Sequence, residues 1–262
     1  MCASFKSTSD TYAIDYAGVH LHCYIFNNRD YLSNSGLEVR YGSERDVMRL
    51  NDMCDGLHFE TDVFLDRTSS QARAIIRDIS KRDYMNTGGV IVFLMSHGNK
   101  SSLSFINGQN IYLNEFIEPF KSNKTLQGKP KMFFVQACRG EDVMSSHVQT
   151  DSAGVNNLQE EDITIPVEAD FLYAFSTIEG FKSFRDPESG SWYIQILCDV
   201  IEEYKATKDV SHILIKVNDL IAQRETNENK KMMPTYANQL RKLFYFARPA
   251  ENLVYFLSFF FY

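Results

Sequence analysis

Two stretches of this 262-residue chain, "GVIVFLM" at 89–95 and "KMFFVQA" at 131–137, are apolar at nearly every position rather than at every second one. A strand with one wet face alternates apolar and polar side chains, so an unbroken run means cover on both faces. That requirement forces layers on either side of a sheet. Further β-rich runs occur at "VHLHCYIFN" (19–27), "FETDVFL" (59–65), "DFLYAFST" (170–177) and "KLFYFA" (242–247). Helical patterns fall between them. "SERDVMRLNDMC" (43–54) opens on a Ser suited to capping, and "TSSQARAIIRDISKRDY" (68–84) carries a Thr-x-x-Gln capping box. "SWYIQILCDVIEEY" (191–204) and "SHILIKVNDLIAQ" (211–223) place apolar residues at helical spacing. Strands alternating with helices predict an α/β fold with a mostly parallel sheet of about six strands and helices on both faces.

Composition narrows the function. A chain that is 44% hydrophobic can bury a substantial core. Its 34 acidic and 27 basic residues leave a formal charge of -7 with no Lys/Arg block, which argues against nucleic acid as a partner. Cys2, Cys23, Cys54, Cys138 and Cys198 are odd in number and scattered, with no CxxC pair, so neither a disulfide framework nor a zinc knuckle is favoured. The N-terminus "MCASFKSTSD" has no secretory-signal pattern, which with the cysteine usage points to a cytoplasmic location. His20 and His22 form an HxH pair without a third ligand nearby and read as ordinary side chains; no metal and no other cofactor is expected. The final "NLVYFLSFFFY" is very apolar but far short of the ~20 residues that span a membrane, so no membrane partner is expected. Two readings of that tail stay open: a segment covered at an interface, or an added terminus that frays or aggregates.

Residues 141–164, "EDVMSSHVQTDSAGVNNLQEEDIT", lack aromatics and are rich in Asp, Glu, Ser, Asn and Gln, the composition of an exposed connection. They divide the chain into a larger and a smaller part.

In open parallel sheets, ligand sites form beyond the carboxyl ends of the strands. "GVIVFLM" runs into Ser96-His97-Gly98, and "KMFFV" runs into Gln136-Ala137-Cys138. If the two strands are neighbours, His97 and Cys138 meet at one edge. A cysteine nucleophile needs such a partner, because the thiolate attacks and an isolated thiol has a pKa of about 8.5. His97 could activate it and then protonate a departing amine. Gly98, without a Cβ, lets its N–H approach a developing oxyanion. Taken alone, a strand-end cysteine reads as a buried structural thiol. The combination reverses that reading, and neither His147 in the polar connection nor Cys23 in an apolar run rivals it.

"QACRG" (136–140) with "SHG" (96–98) upstream resembles the caspase signature. The likeness continues through "RYGSERD" (40–46), "GKPKMFFVQACRGE" (128–141), "IPVEADFLYAFST" (165–177), "FRDPESGSWYIQ" (184–195) and "HILIKVN" (212–218), covering roughly residues 12–247. The resemblance implies a caspase-like fold with Cys138 as nucleophile, His97 as acid/base partner, and the N–H groups of Gly98 and Cys138 holding the oxyanion. Caspases cut after aspartate, and Arg40, Gln136 and Arg185 match the family's aspartate pocket. Two guanidinium forks suit one carboxylate, and charged hydrogen bonds at ~1.5 to 3 kcal/mol each give about two to four powers of ten in preference. Ser183 and Arg185 match the loop that binds the substrate as an added strand. Trp192 is either core or the wall of a more distant subsite.

The resemblance also implies a zymogen cut after Asp151, in "VQTDSAG" (148–154), with Asp10 a weaker second processing site. It divides the chain into a short N-terminal segment (1–11), a large-subunit region (12–151), a cleavable linker (152–164), a small-subunit region (165–248) and the apolar tail (249–262). About ten residues precede the resembling region, too few for the recruitment domain of initiator members, so an executioner-like caspase with a short or absent prodomain is expected. Protein substrates, an upstream initiator caspase, inhibitor-of-apoptosis-type proteins and a second copy of the chain are the implied partners. Dimerisation is expected through the last small-subunit strand, placed at 243–247. Asp186 stands where executioner relatives commonly carry an amide, and residues 222–234 are short and polar, so the subsite four residues before the cut is expected to accept more than acids. A rival reading is a catalytically silent caspase-like dimerisation partner, against which the intact Cys138, His97, Arg40 and Arg185 argue. Another is a related hydrolase selective for basic residues, which would need an acid-lined pocket.

Overall fold

The computed structural model describes residues 10–12, 20–140, 144–145 and 169–249. Six strands make the main sheet: β1 (His22–Asn27), β2 (Glu60–Leu65), β3 (Val90–Met95), β4 (Lys131–Gln136), β5 (Phe171–Phe175) and β6 (Thr235–Asn238). Their order is β6-β5-β4-β3-β1-β2, with every neighbouring pair parallel except β6 against β5. The helices are α1 (Ser43–Gly56), α2 (Ser69–Ile79), α3 (Leu113–Lys121), α4 (Trp192–Tyr204) and α5 (Val210–Gln223). Residues of α1, α4 and α5 pack with Ile25, Phe93, Phe134 and Leu172 on one face of the sheet. Residues of α2 and α3 pack with Tyr24, Val92, Phe133 and Phe171 on the other. All six residues of β3 and of β4 are buried, which is why these runs show no alternation.

The chain leaves β1 outward to β2 and then returns to β3 on the other side, creating a switch in strand order between β1 and β3. Such a switch opens a crevice at the carboxyl ends. Asn27, Ser96 and Cys138 all follow from strands that end there.

Four local expectations are corrected. Ser43 does not cap α1; Gly42, at φ 87°, occupies that position with no side-chain bond, and Ser43 is the first helical residue. The Thr68–Gln71 capping box forms, but α2 ends at Ile79 rather than continuing to Tyr84. Helix α3 was not anticipated; Leu113, Phe116, Ile117 and Phe120 give it an apolar stripe, interrupted by Pro119 in its last turn. "KLFYFA" is not the final strand. Phe244 and Phe246 are buried in the core, with rings 5.1 Å apart, and their segment crosses the α4–α5 connection. There Val210 N–H donates to the Phe244 carbonyl (2.8 Å) and Ala247 N–H to the Lys205 carbonyl (2.9 Å). The edge strand is β6 instead, half-buried at Thr235 and Tyr236 and exposed at Ala237 and Asn238. Leu243 pairs with the N-terminal segment, accepting from Tyr12 N–H (3.1 Å) and donating to the Asp10 carbonyl (2.8 Å).

Among the described residues, no helix is long and apolar enough to cross a membrane, and no group of three or more His, Cys, Asp or Glu could hold a metal ion. His20 Nδ1 lies 2.8 Å from the His58 carbonyl, and His22 pairs with Glu60 at 3.2 Å. Residues 250–262 lie outside the described residues.

The packing has a direct test. Phe134 is fully buried and stacks on Phe93 with ring centroids 5.0 Å apart. Phe134→Ala should lower unfolding stability by about 3 to 5 kcal/mol in urea titration; a loss below about 1 kcal/mol would contradict a close-packed junction of β3 and β4.

Candidate active site

The register of β3 and β4 builds the centre of the site. Met95 lies opposite Gln136, and Ser96 N–H donates to the Gln136 carbonyl (3.2 Å). Two residues beyond this pair stand His97 and Cys138, each just past the end of one of two neighbouring strands. The hairpin after His97 holds its level. Ser104 N–H donates to the His97 carbonyl (2.8 Å), and Asn99 N–H donates to the Ser102 carbonyl (3.0 Å). Gly98 is pressed into this corner: a Cβ there would lie 2.8 Å from the Ser102 carbonyl oxygen and 3.0 Å from the Ala137 Cβ. Neither the Gly98 nor the Cys138 amide donates to another backbone carbonyl among the described residues.

His97 is fixed from behind. Its Nε2 lies 2.8 Å from the Glu38 carbonyl oxygen, which can only accept, so Nε2 carries the proton and Nδ1 is the free nitrogen of the neutral ring. Its amide donates to the Tyr31 hydroxyl (3.1 Å), and the two rings lie 5.1 Å apart. Tyr31 in turn shares a 2.7 Å hydrogen bond with Ser96 Oγ.

Beside this pair sit the two arginines. Arg40 is 1% exposed, and its Nη1 donates to Asn27 Oδ1 (3.1 Å) and the Asn28 carbonyl (2.7 Å) at the end of β1. Burial, and next the charge of Arg185, pull its pKa down to about 10, so it stays cationic at neutral pH. Arg185 is half-buried, donates from Nε to the Tyr41 carbonyl (2.8 Å), and is also held below the usual guanidinium range, chiefly by burial. Both guanidinium groups feel the Cys138 sulfur electrostatically. Among the described residues neither makes an ion pair. A buried cation without a carboxylate is costly unless an anion arrives to meet it.

Ser183 touches both Gln136 and Cys138. Gln136 Nε2 donates to Ser183 Oγ (2.8 Å), while Gln136 Oε1 is buried without a hydrogen-bond partner. Ser183 N–H points at Cys138 Sγ (3.5 Å), and Met232 Sδ accepts from Ser183 Oγ (3.4 Å) and Phe184 N–H (3.3 Å). The loop that carries Arg185 therefore lies over the thiol. Trp192, at the start of α4, packs partly buried against the core and also meets the Phe184 ring at 5.4 Å, with the Arg224 guanidinium 5.8 Å from its own ring centroid. It borders both core and loop. Asp186 Oδ1 accepts from the amides of Glu188 (2.9 Å) and Ser189 (2.8 Å), turned into its own bend.

The structure thus brings Cys138, His97, Gly98, Arg40, Gln136, Ser183 and Arg185 to one end of the sheet. Asp151 lies outside the described residues. Asp10 is exposed, but its carbonyl is occupied by Leu243 N–H. Cys23 is far from this chemistry, buried with its sulfur 3.4 Å from that of Cys54. Sequence reasoning missed Tyr31, Met232 and the Glu38 carbonyl, none of which carries a pattern that marks it.

Fold and site together define an α/β protein with a thiol and an imidazole at neighbouring strand ends, facing paired guanidinium groups. The family model described as "Caspase domain" matches residues 20–245. Caspase-3 of Xenopus laevis is 38% identical over 227 residues, covering 86% of this chain and 79% of that protein. Caspase-7 of Gallus gallus is 32% identical over 237 residues, covering 86% and 76%. The crystal structure of caspase-1 from Spodoptera frugiperda superposes with a TM-score of 0.82 at 25% identity, covering 96% of this chain and 99% of that one. The chain belongs to the caspase family, the Asp-directed cysteine endopeptidases, and is similar to executioner members.

Burial first, then the Arg40 and Arg185 charges, push the His97 imidazole below its ordinary pKa of about 6.5. The lowered value favours the neutral ring, so His97 should remain neutral until the pH falls below about 6.5. NMR titration of the ring in a Cys138→Ala chain should give a midpoint under that value; one above it contradicts the burial and the two-cation environment.

Proposed function

We propose that this chain cleaves proteins on the carboxyl side of aspartate, with Cys138 as nucleophile and His97 as its proton partner. The observation that carries the reading is that Arg40 and Arg185, neither of which makes an ion pair among the described residues, both interact electrostatically with the Cys138 thiol. Nδ1 of His97 takes the thiol proton, the thiolate attacks the scissile carbonyl, and the imidazolium returns the proton to the leaving amine. The amides of Gly98 and Cys138, which donate to no backbone carbonyl among the described residues, are the donors available to the tetrahedral oxyanion. Water then releases the acid product through the same imidazole.

The substrate aspartate takes the place that Ser183 now fills. Gln136 Nε2, released from Ser183 Oγ, donates to its carboxylate together with the two arginines. Moving Ser183 also clears Cys138. This requirement supports a zymogen. Residues Met144–Ser145, at the start of the intersubunit connection, pair antiparallel with Lys230–Lys231, next to the Met232 that grips Ser183 and Phe184. Cleavage after Asp151 gives that connection a free end, separating a large region (12–151) from the linker (152–164) and small region (165–248). Asp10 is the poorer site because its carbonyl is already bonded. A second copy pairs along the free edge of β6, and Trp192 beside Phe184 borders the more distant subsites. Similarity to caspase-3 and caspase-7 supports a role in cell death, and we infer regulation by an upstream caspase and inhibitor proteins in the cytoplasm.

Peptide cleavage tests this reading. Wild-type enzyme should prefer a peptide with Asp before the cut over its Asn counterpart by about two to four powers of ten in kcat/KM, and Cys138→Ala should abolish turnover. Equal cleavage of Asp and Asn peptides contradicts the pocket assignment. Mass spectrometry of active enzyme should find a break between Asp151 and Ser152; full activity in an uncut Asp151→Ala chain contradicts activation by cleavage.

A further inference from the structure

Asp46 lies in the first turn of α1, six residues after Arg40, and is completely buried. Its carboxylate makes no ion pair among the described residues. Oδ1 accepts from Ser191 N–H (2.8 Å) and Gln195 Nε2 (2.8 Å), and Oδ2 accepts from Ser191 Oγ (2.5 Å). Ser191 is the residue paired directly with Arg185 in the small antiparallel ribbon of Arg185–Asp186 and Gly190–Ser191. One side chain on the helix that follows Arg40 therefore grips the strand beside Arg185. The approach is close enough to dictate the neighbouring residue: a Cβ on Gly190, whose φ is 97°, would lie 2.4 Å from Asp46 Oδ1.

The two arginines come from distant parts of the chain, on opposite sides of the connection at 141–164, and a shared pocket needs their spacing fixed. Arg185 Nε on the Tyr41 carbonyl is one tie between the two segments, and Asp46 on Ser191 is the other. Joining α1 to the ribbon does not in itself require a charge, and burying a carboxylate is expensive unless hydrogen bonds and nearby cations offset it. Both Arg40 and Arg185 are stabilised in their charged forms by Asp46, which supplies that offset from a position where it occupies neither guanidinium. A direct ion pair would have filled the pocket. The carboxylate instead balances the two cations from behind and leaves their donors to a substrate.

We propose that Asp46 is a positioning residue that sets the relative placement of Arg40 and Arg185, and through them the discrimination of aspartate from the longer glutamate before the cut. This rests on the function proposed above. Displacing the Arg185 ribbon from α1 widens the gap between the guanidinium groups, which weakens binding of the short acid more than that of the long one. The chemical step at Cys138 and His97 is unaffected, so the loss belongs in KM.

The test uses the full-length chain, activated as the wild type is, with peptides identical except for Asp or Glu before the cut. Asp46→Asn, matched in volume, should raise KM for the Asp peptide about tenfold, leave kcat within about twofold, and reduce the Asp-to-Glu ratio of kcat/KM about tenfold. Ser191→Ala removes one of the three bonds and should move the same quantities in the same direction by about threefold. Thermal melting separates folding from function. A folded Asp46→Asn enzyme with wild-type KM and Asp-to-Glu ratio overturns the proposal, whatever its melting temperature, as does a loss confined to kcat. If Asp46→Asn does not fold, a Ser191→Ala enzyme with wild-type KM and ratio overturns it instead. Wild-type enzyme that cleaves neither peptide brings down the underlying function as well, an outcome distinct from an active wild type whose variants are unchanged.

Discussion

The parallel pairing of β3 with β4 is the constraint on which the rest of the site depends. Because Met95 sits opposite Gln136, the residues two places on, His97 and Cys138, leave the sheet at the same level. A slip of one residue would turn every side chain of one strand to the opposite face, burying the wrong set and separating thiol from imidazole. The register is held by burial on both faces: Phe93 and Phe134 meet the helices of one layer, while Val92 and Phe133 meet those of the other. Stability and chemistry therefore share one cause. The apolar runs that make the sheet also aim its reactive ends.

The second organising feature is charge held against its own interest. Arg40 is almost wholly enclosed, and Arg185 lies close enough to depress its pKa further. Hydrogen bonds that Arg40 donates to Asn27 Oδ1 and the Asn28 carbonyl hold it in place without neutralising it. Two cations held this close favour an anion beside them. Ser183 accepts from Gln136 and its N–H points at the Cys138 sulfur, so the loop that carries Arg185 also touches the thiol. Met232 Sδ holds the same loop through Ser183 Oγ and Phe184 N–H.

Much of this was legible in the sequence, for identifiable reasons. Strands buried on both faces write themselves as unbroken apolar runs, and the Thr68–Gln71 box declares the start of α2 by its side chains. What misled was equally physical. "KLFYFA" is an apolar, aromatic run like those of the strands, yet Phe244 and Phe246 fill the core from a segment whose backbone bonds go to the α4–α5 connection. The real edge strand, "TYAN", is short and half-exposed, so hydrophobicity gives it no signal. Pro119 obscured the helical period of α3. In the site, Cys138 and His97 could be singled out because a thiol and an imidazole follow two apolar strands, whereas Arg40 and Arg185 could be named only through the resemblance of their motifs to the caspases. The Glu38 carbonyl on His97 could not, since any residue offers a carbonyl, and Asp46 looked like an ordinary acidic residue in a first helical turn.

The central claim is that one acidic side chain, one thiol and two guanidinium groups meet in a single pocket. A crystal structure of the chain reacted with a peptide aldehyde ending in aspartate addresses all four at once. The account predicts a covalent bond to Cys138 Sγ, with the aspartate carboxylate between Arg40 and Arg185 and Ser183 displaced from Gln136. An adduct on another cysteine, or a Cys138 adduct whose carboxylate points into solvent, would contradict it.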